Sequence, residues 1–159
     1  MCAHCGCHDV PAIRELVDEH DALQEQAYAV RRALAAGDHR AAAGLLGPFV
    51  AHLEHHVARE EDGVFTALRD QGDFVEEVEA LEGEHLSFAE ALERLGSPDD
   101  EGFAGRVRTL LESLDVHIER EDVGIFPVSV VTLGATGWET VGRAHARRPS
   151  FLADGPTSA

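Results

Sequence analysis

Lysine is absent from this 159-residue chain; all 13 basic side chains are Arg. Schiff-base chemistry and a phosphate-binding P-loop each need a Lys amine, so both are excluded. Aromatic residues make up only 6%, which leaves a core built mainly from Leu, Val and Ala. Cysteine is missing from the body of the chain: Cys2, Cys5 and Cys7 all lie within the first seven residues. That placement rules out a disulfide framework. Long hydrophobic runs are missing too. The longest uncharged stretch, Val123 to Trp138, is too short for a bilayer and carries Pro127 with several Gly, Ser and Thr. No basic segment leading into an apolar run opens the chain, as a secretory signal would require. A soluble, cytoplasmic protein with no membrane partner is expected. Positive charge is also short. Thirty acidic residues against 13 basic ones give a net charge of −17, a field that repels nucleic-acid phosphates.

What remains is an ordinary globular balance, 44% hydrophobic and 27% charged, in a mass of 17.2 kDa that suits one domain. Apolar residues recur at helical spacing. A first helix is expected from Pro11 to Ala36, with Pro11 in its first turn and Gly37 as its stop. A second starts from the N-cap Asp38 and runs to Arg69, kinked or split at Gly47-Pro48. The third spans Phe74 to Leu95. The fourth spans Glu101 to Val131, with its end bent by Pro127. Thr136 to Arg147 suits a short fifth helix, and Arg148 onward a loose tail. The pattern predicts an all-α protein, an antiparallel four-helix bundle of two repeated helix pairs. Residues 1–9 form an arm, 10–131 the bundle, and 132–159 the short helix and tail.

The two halves repeat. A shift of 61 carries Phe49, Leu53, His56 and Glu60 onto Leu110, Leu114, His117 and Glu121. A shift of 65 carries Leu16, Glu19, His20 and Leu23 onto Leu81, Glu84, His85 and Phe88. Of ten histidines, the repeat retains four: His20, His56, His85 and His117. Each sits three, four or seven residues from apolar partners, so each belongs to a core-facing stripe. Glu60 and Glu121 follow four residues after His56 and His117, on the same face.

Four imidazoles and two carboxylates in one core are costly, several kcal/mol for each unpaired carboxylate. No Lys exists to neutralise them, and no Arg is expected on the stripe. A pair of cations resolves the cost, with nitrogen ligands for each and two carboxylates able to bridge. Mixed imidazole and carboxylate donors suit iron or manganese better than magnesium or calcium. A single buried His–Glu pair would more simply be a structural hydrogen bond; the doubled set in repeat register favours metal.

The pattern His20, His56-x-x-x-Glu60, His85, His117-x-x-x-Glu121 resembles the hemerythrin-like HHE cation-binding domain over about Val10 to Val131. The cysteine-rich opening is similar to that of some bacterial members. The resemblance implies a bundle holding two non-haem iron ions, bridged by carboxylates and an oxo or hydroxo group. It also implies oxygen, peroxide or nitric oxide as small-molecule partners. Oxygen-carrying members place His-x-x-x-His on the third helix, whereas Leu81 and Ala89 flank His85 here at that spacing. One ligand fewer leaves an open position. Reaction with an oxidant is then expected rather than reversible oxygen carriage. Those members also use an Asp five after the last His, so Asp122 competes with Glu121; repeat and stripe favour Glu121.

His52, four before His56, is an alternative or supporting ligand. His55 is read as interfacial or exposed, His39 and His145 as surface residues, and Glu61 and Asp62 as a solvated face. Cys2, Cys5 and Cys7, with His4 and His8 between them, offer a redox pair or a zinc or iron site. Leu23, Leu53, Phe88 and Leu114 should line the centre, with no Tyr or Ser beside it. Three functions remain open at this point: an oxidant-reactive di-iron protein, an iron or oxygen sensor without turnover, and a purely structural bundle. Oligomeric state is not encoded in any of these features.

Overall fold

The computed structural model describes residues 9–153. Among them there is no strand; the all-α expectation holds. Seven helices follow in order: α1 (Pro11–Ala35), α2 (His39–Glu60), α3 (Thr66–Gln71), α4 (Val75–Glu93), α5 (Phe103–Arg120), α6 (Phe126–Thr132) and α7 (Ala135–Arg147). α2 passes into α3 through a π turn, Glu61–Phe65, and α5 into α6 through another, Glu121–Ile125.

Local chemistry accounts for the ends. Pro11 opens α1 with its fixed φ, where the lost N–H is an orphan anyway. Asp38 caps α2, its Oδ1 accepting from Ala41 N at 2.9 Å. Gly72, at φ 81°, closes α3 in the left-handed region that other residues avoid. α2 is not split at Gly47-Pro48; Pro48 lies inside the helix. The real irregularities are the two π turns, which periodicity does not reveal.

The core falls into two apolar clusters. One gathers Leu23, Leu53, Phe88, Leu114 and Ile118 with Phe49, Phe103 and Leu110. The other gathers Leu16, Phe65, Leu81, Ile125 and Phe126 with Ile13, Val78 and Val141. A layer of buried His and Glu side chains lies between them in sequence register. α7 packs on the first π turn, on α3 and on α1. Beyond it the chain is not a loose tail as far as residue 153. Ser150 is buried, and Phe151 stacks on His52 with ring centroids 4.3 Å apart. No helix among the described residues is long and apolar enough to cross a membrane.

Candidate metal centre

Each long helix or helix pair brings one part of the polar layer. α1 supplies His20, α2 His56 and Glu60, α4 His85, and α5 with its π turn His117 and Glu121. All six side chains are buried, the two carboxylates completely. Their ligand atoms form two groups, His20–His56–Glu60–Glu121 and Glu60–His85–His117–Glu121, each within a span of 4.8 Å. Both glutamates belong to both groups.

The oxygens divide between the groups. Glu60 turns Oε1 toward His56 Nε2 at 2.9 Å and His20 Nε2 at 3.5 Å, and Oε2 toward His85 Nε2 at 3.4 Å. Glu121 turns Oε2 toward His20 Nε2 at 3.1 Å, and Oε1 toward His117 Nε2 at 3.0 Å and His85 Nε2 at 3.8 Å. Both carboxylates thus present one oxygen to each pair of imidazoles.

The outer nitrogens set the tautomers. Every Nδ1 meets a carboxylate: His20 with Asp122 at 2.8 Å, His56 with Glu19 at 2.6 Å, His85 with Glu61 at 2.9 Å and His117 with Glu84 at 2.6 Å. An Nδ1–H donated outward leaves the Nε2 lone pair pointing inward, as metal-binding imidazoles are held. The partners cross between neighbouring helices and obey the repeat: Glu19 matches Glu84, and Glu61 matches Asp122.

Electrostatics tests whether a cation suits this centre. The Nε2 atoms of His20 and His56 and all four carboxylate oxygens of Glu60 and Glu121 are buried without a hydrogen-bond partner. His85 and His117 bring their Nε2 atoms to 3.0 Å, two inward lone pairs facing one space. Such an arrangement is repulsive unless a proton or a cation lies between. Protons are what the carboxylates draw in without metal. Burial alone depresses His20, but hydrogen bonding to Asp122 and the Glu121 and Glu60 carboxylates hold it well above its ordinary pKa. Burial likewise opposes the charge on His85, yet Glu60 and Glu61 outweigh it and push the pKa to about 10. Burial would raise Glu60; the charge of His56 and the nearby imidazoles of His20 and His85 keep it well below the usual carboxylate range. The centre demands positive charge, and its donor set fits two divalent cations.

The wall on one side is apolar. A narrow cavity borders the four imidazoles, lined also by Leu23, Leu53, Val57, Phe88, Leu114 and Ile118, and it is too tight for a water-sized sphere. The four residues expected to line the centre are among these.

Several sequence readings change. His52 joins neither group; it hydrogen-bonds the Gln26 amide and lies flat on Phe151. Asp122 supports His20 from outside, while Glu121 holds the inner place. Glu61 is partly exposed but is also the partner of His85; Asp62 is exposed, 3.7 Å from Arg148. His145 is not a surface residue: its side chain is 10% exposed and its Nδ1 accepts from Arg59 Nη2 at 3.1 Å. Arg59 itself is fully buried, one residue before Glu60, where no Arg was expected. It lies 3.0 Å from Glu19 and also pairs with Glu15. His55 lies at the edge, donating to Pro149 O at 2.7 Å. His39 is half-buried near Phe103, ring centroids 6.1 Å apart. Cys2, Cys5 and Cys7, with His4 and His8, lie outside the described residues.

The sequence model of the hemerythrin HHE cation binding domain matches residues 12–129. The chain belongs to this family, one of metal-binding helical proteins. Comparison with curated proteins and with solved structures gives no match.

Proposed function

We propose that the chain is a non-haem di-iron protein that reacts with small oxidants: oxygen, peroxide or nitric oxide. Residues 10–131 form its antiparallel four-helix bundle, and residues 132–159 an appended C-terminal segment. One ion is held by His20 and His56, the other by His85 and His117, with Glu60 and Glu121 shared. The supporting observation is the division of each carboxylate, one oxygen toward each pair of imidazoles.

Two iron ions, if held by His20, His56, His85, His117, Glu60 and Glu121, would supply electrons to an incoming oxidant. The chain does the rest. Glu19, Glu61, Glu84 and Asp122 fix the four imidazoles in one tautomer, so their nitrogens need no reorganisation. Leu23, Leu53, Phe88 and Leu114 give the centre an apolar wall that excludes water and disfavours anions. Neither Leu81 nor Ala89 can ligate, so four histidines and two shared glutamates are the whole donor set.

Stopped-flow absorption tests the reading. The iron-loaded, reduced protein should develop near-ultraviolet absorption within seconds of mixing with oxygen or peroxide, and evacuation should not reverse it. Oxygen uptake that reverses under vacuum would make the protein a carrier. No response to any of the three oxidants would leave only metal binding.

A further inference from the structure

The repeat builds the outer support of His56 and His117 in the same way. Glu19 and Glu84 accept from the two Nδ1 atoms, each at 2.6 Å. Arg59 and Arg120, also matched by the shift of 61, pair with those two glutamates. The surroundings then diverge. Arg59 and Glu19 are both 0% exposed, whereas Arg120 is 48% and Glu84 31% exposed.

The C-terminal segment makes the difference. Arg59 Nη1 donates to Arg148 O at 2.6 Å, and Nη2 donates to His145 Nδ1 at 3.1 Å. Against the cost of burial, Ser150, itself buried, helps hold the Glu19 carboxyl below its ordinary pKa. Of the two equivalent positions, only the one at Arg59 and Glu19 is covered by the C-terminal segment. The remaining two supports do not add to the asymmetry, because Asp122 and Glu61 are exposed to similar degrees, 30% and 39%.

We infer that α7 and residues 148–150 make the two ion sites unequal, with Arg59, His145 and Ser150 as positioning residues for His56. The ion on His20 and His56 is the retained one; the ion on His85 and His117 is the exchangeable one. This rests on the two-ion reading above. A dry carboxylate paired with the buried Arg59 keeps its bond to His56 without competition from water. At Glu84 water competes, and an exposed Arg–carboxylate pair contributes little. Outer partners of metal-binding imidazoles are worth about 10–100-fold in metal affinity. A difference of about tenfold between the two sites is therefore expected.

The test uses the full-length, 15N-labelled protein loaded with two equivalents of zinc, a diamagnetic probe. Nuclear magnetic resonance follows solvent exchange of the imidazole Nδ1–H groups, and a chelator challenge shows which imidazoles lose metal first. The Nδ1–H of His56 should exchange more slowly than that of His117, because its acceptor Glu19 is fully buried and Glu84 is not. The chelator should perturb His85 and His117 before His20 and His56. Ser150→Ala and His145→Ala should each speed exchange at His56 and leave His117 unchanged. Arg59→Met should do so more strongly, with Arg59→Lys restoring most of the protection. If Arg59→Met fails to fold, the two milder variants decide. Equal exchange at both histidines in the parent protein overturns the inference. So does a variant that loosens both histidines equally, which would mark the C-terminal segment as a general stabiliser. Failure to bind zinc at all overturns this inference and the two-ion reading together; two bound ions with equal exchange overturn this inference alone.

Discussion

Asp122→Asn and Glu121→Gln remove one negative charge each from adjacent residues, yet the geometry gives them different consequences. Asp122 touches only the outer nitrogen of His20, at 2.8 Å. Asn can still offer Oδ1 to that N–H, so the tautomer survives and only charge assistance is lost. Removing an outer carboxylate costs about 10–100-fold in metal affinity, or about 1.4–2.8 kcal/mol at 1.4 kcal/mol per tenfold. Asp122 is 30% exposed, so water already weakens its field, and the lower end, about tenfold, is expected. Glu121 is fully buried and offers an oxygen to each imidazole pair. Its replacement takes a donor from both sites at once, and a loss beyond about 100-fold is expected. Competition of metal-free protein with a chromophoric chelator for ferrous iron, without oxygen, measures both. Equal losses for the two variants, or a Glu121→Gln protein that still binds two ions normally, would refute the assignment of inner and outer carboxylates.

Three further outcomes follow from the same geometry. In metal-free protein, protonated His85 contributes stability that is fully present below its unfolded pKa near 6.5 and lost as pH rises through about 10. Metal needs those imidazoles deprotonated, so its contribution grows with pH. The melting-temperature gap between loaded and metal-free protein should widen from pH 6.5 to pH 9 by scanning calorimetry; a gap that narrows contradicts the account. His52→Ala should leave metal content unchanged, because His52 packs on Phe151 and Gln26 outside both groups; elemental analysis decides. Deleting residues 1–8 should leave helicity by circular dichroism and metal content intact, since the arm precedes α1; unfolding would make the arm structural.

How much of this was legible in the sequence depended on whether a feature lies along one helix or between two. The six inner residues and the apolar lining share faces of single helices, so a period of 3.6 residues finds them. The outer partners sit on neighbouring helices: Glu19 of α1 serves His56 of α2, and Asp122 serves His20 across 102 residues. No periodicity within one helix signals that, although the repeat does, since Glu19 matches Glu84 and Glu61 matches Asp122. Arg59 was missed for another reason. Its burial comes from His145, Arg148 and Ser150 after the repeat ends, and no pattern within α2 announces them. The π turns insert a wider backbone turn beside Glu60 and Glu121, a geometry without a composition signature. Gly47-Pro48 was read as a kink or a split, and the helix is not split there.

The metal content of full-length protein from iron-replete cells tests the central claim most directly. Elemental analysis should find two ions per chain, matching the two overlapping groups of buried donors. The paired substitution Glu60→Ala and Glu121→Ala should remove both. Less than one ion per chain in the parent protein, or a content that the paired substitution leaves unchanged, would contradict the account.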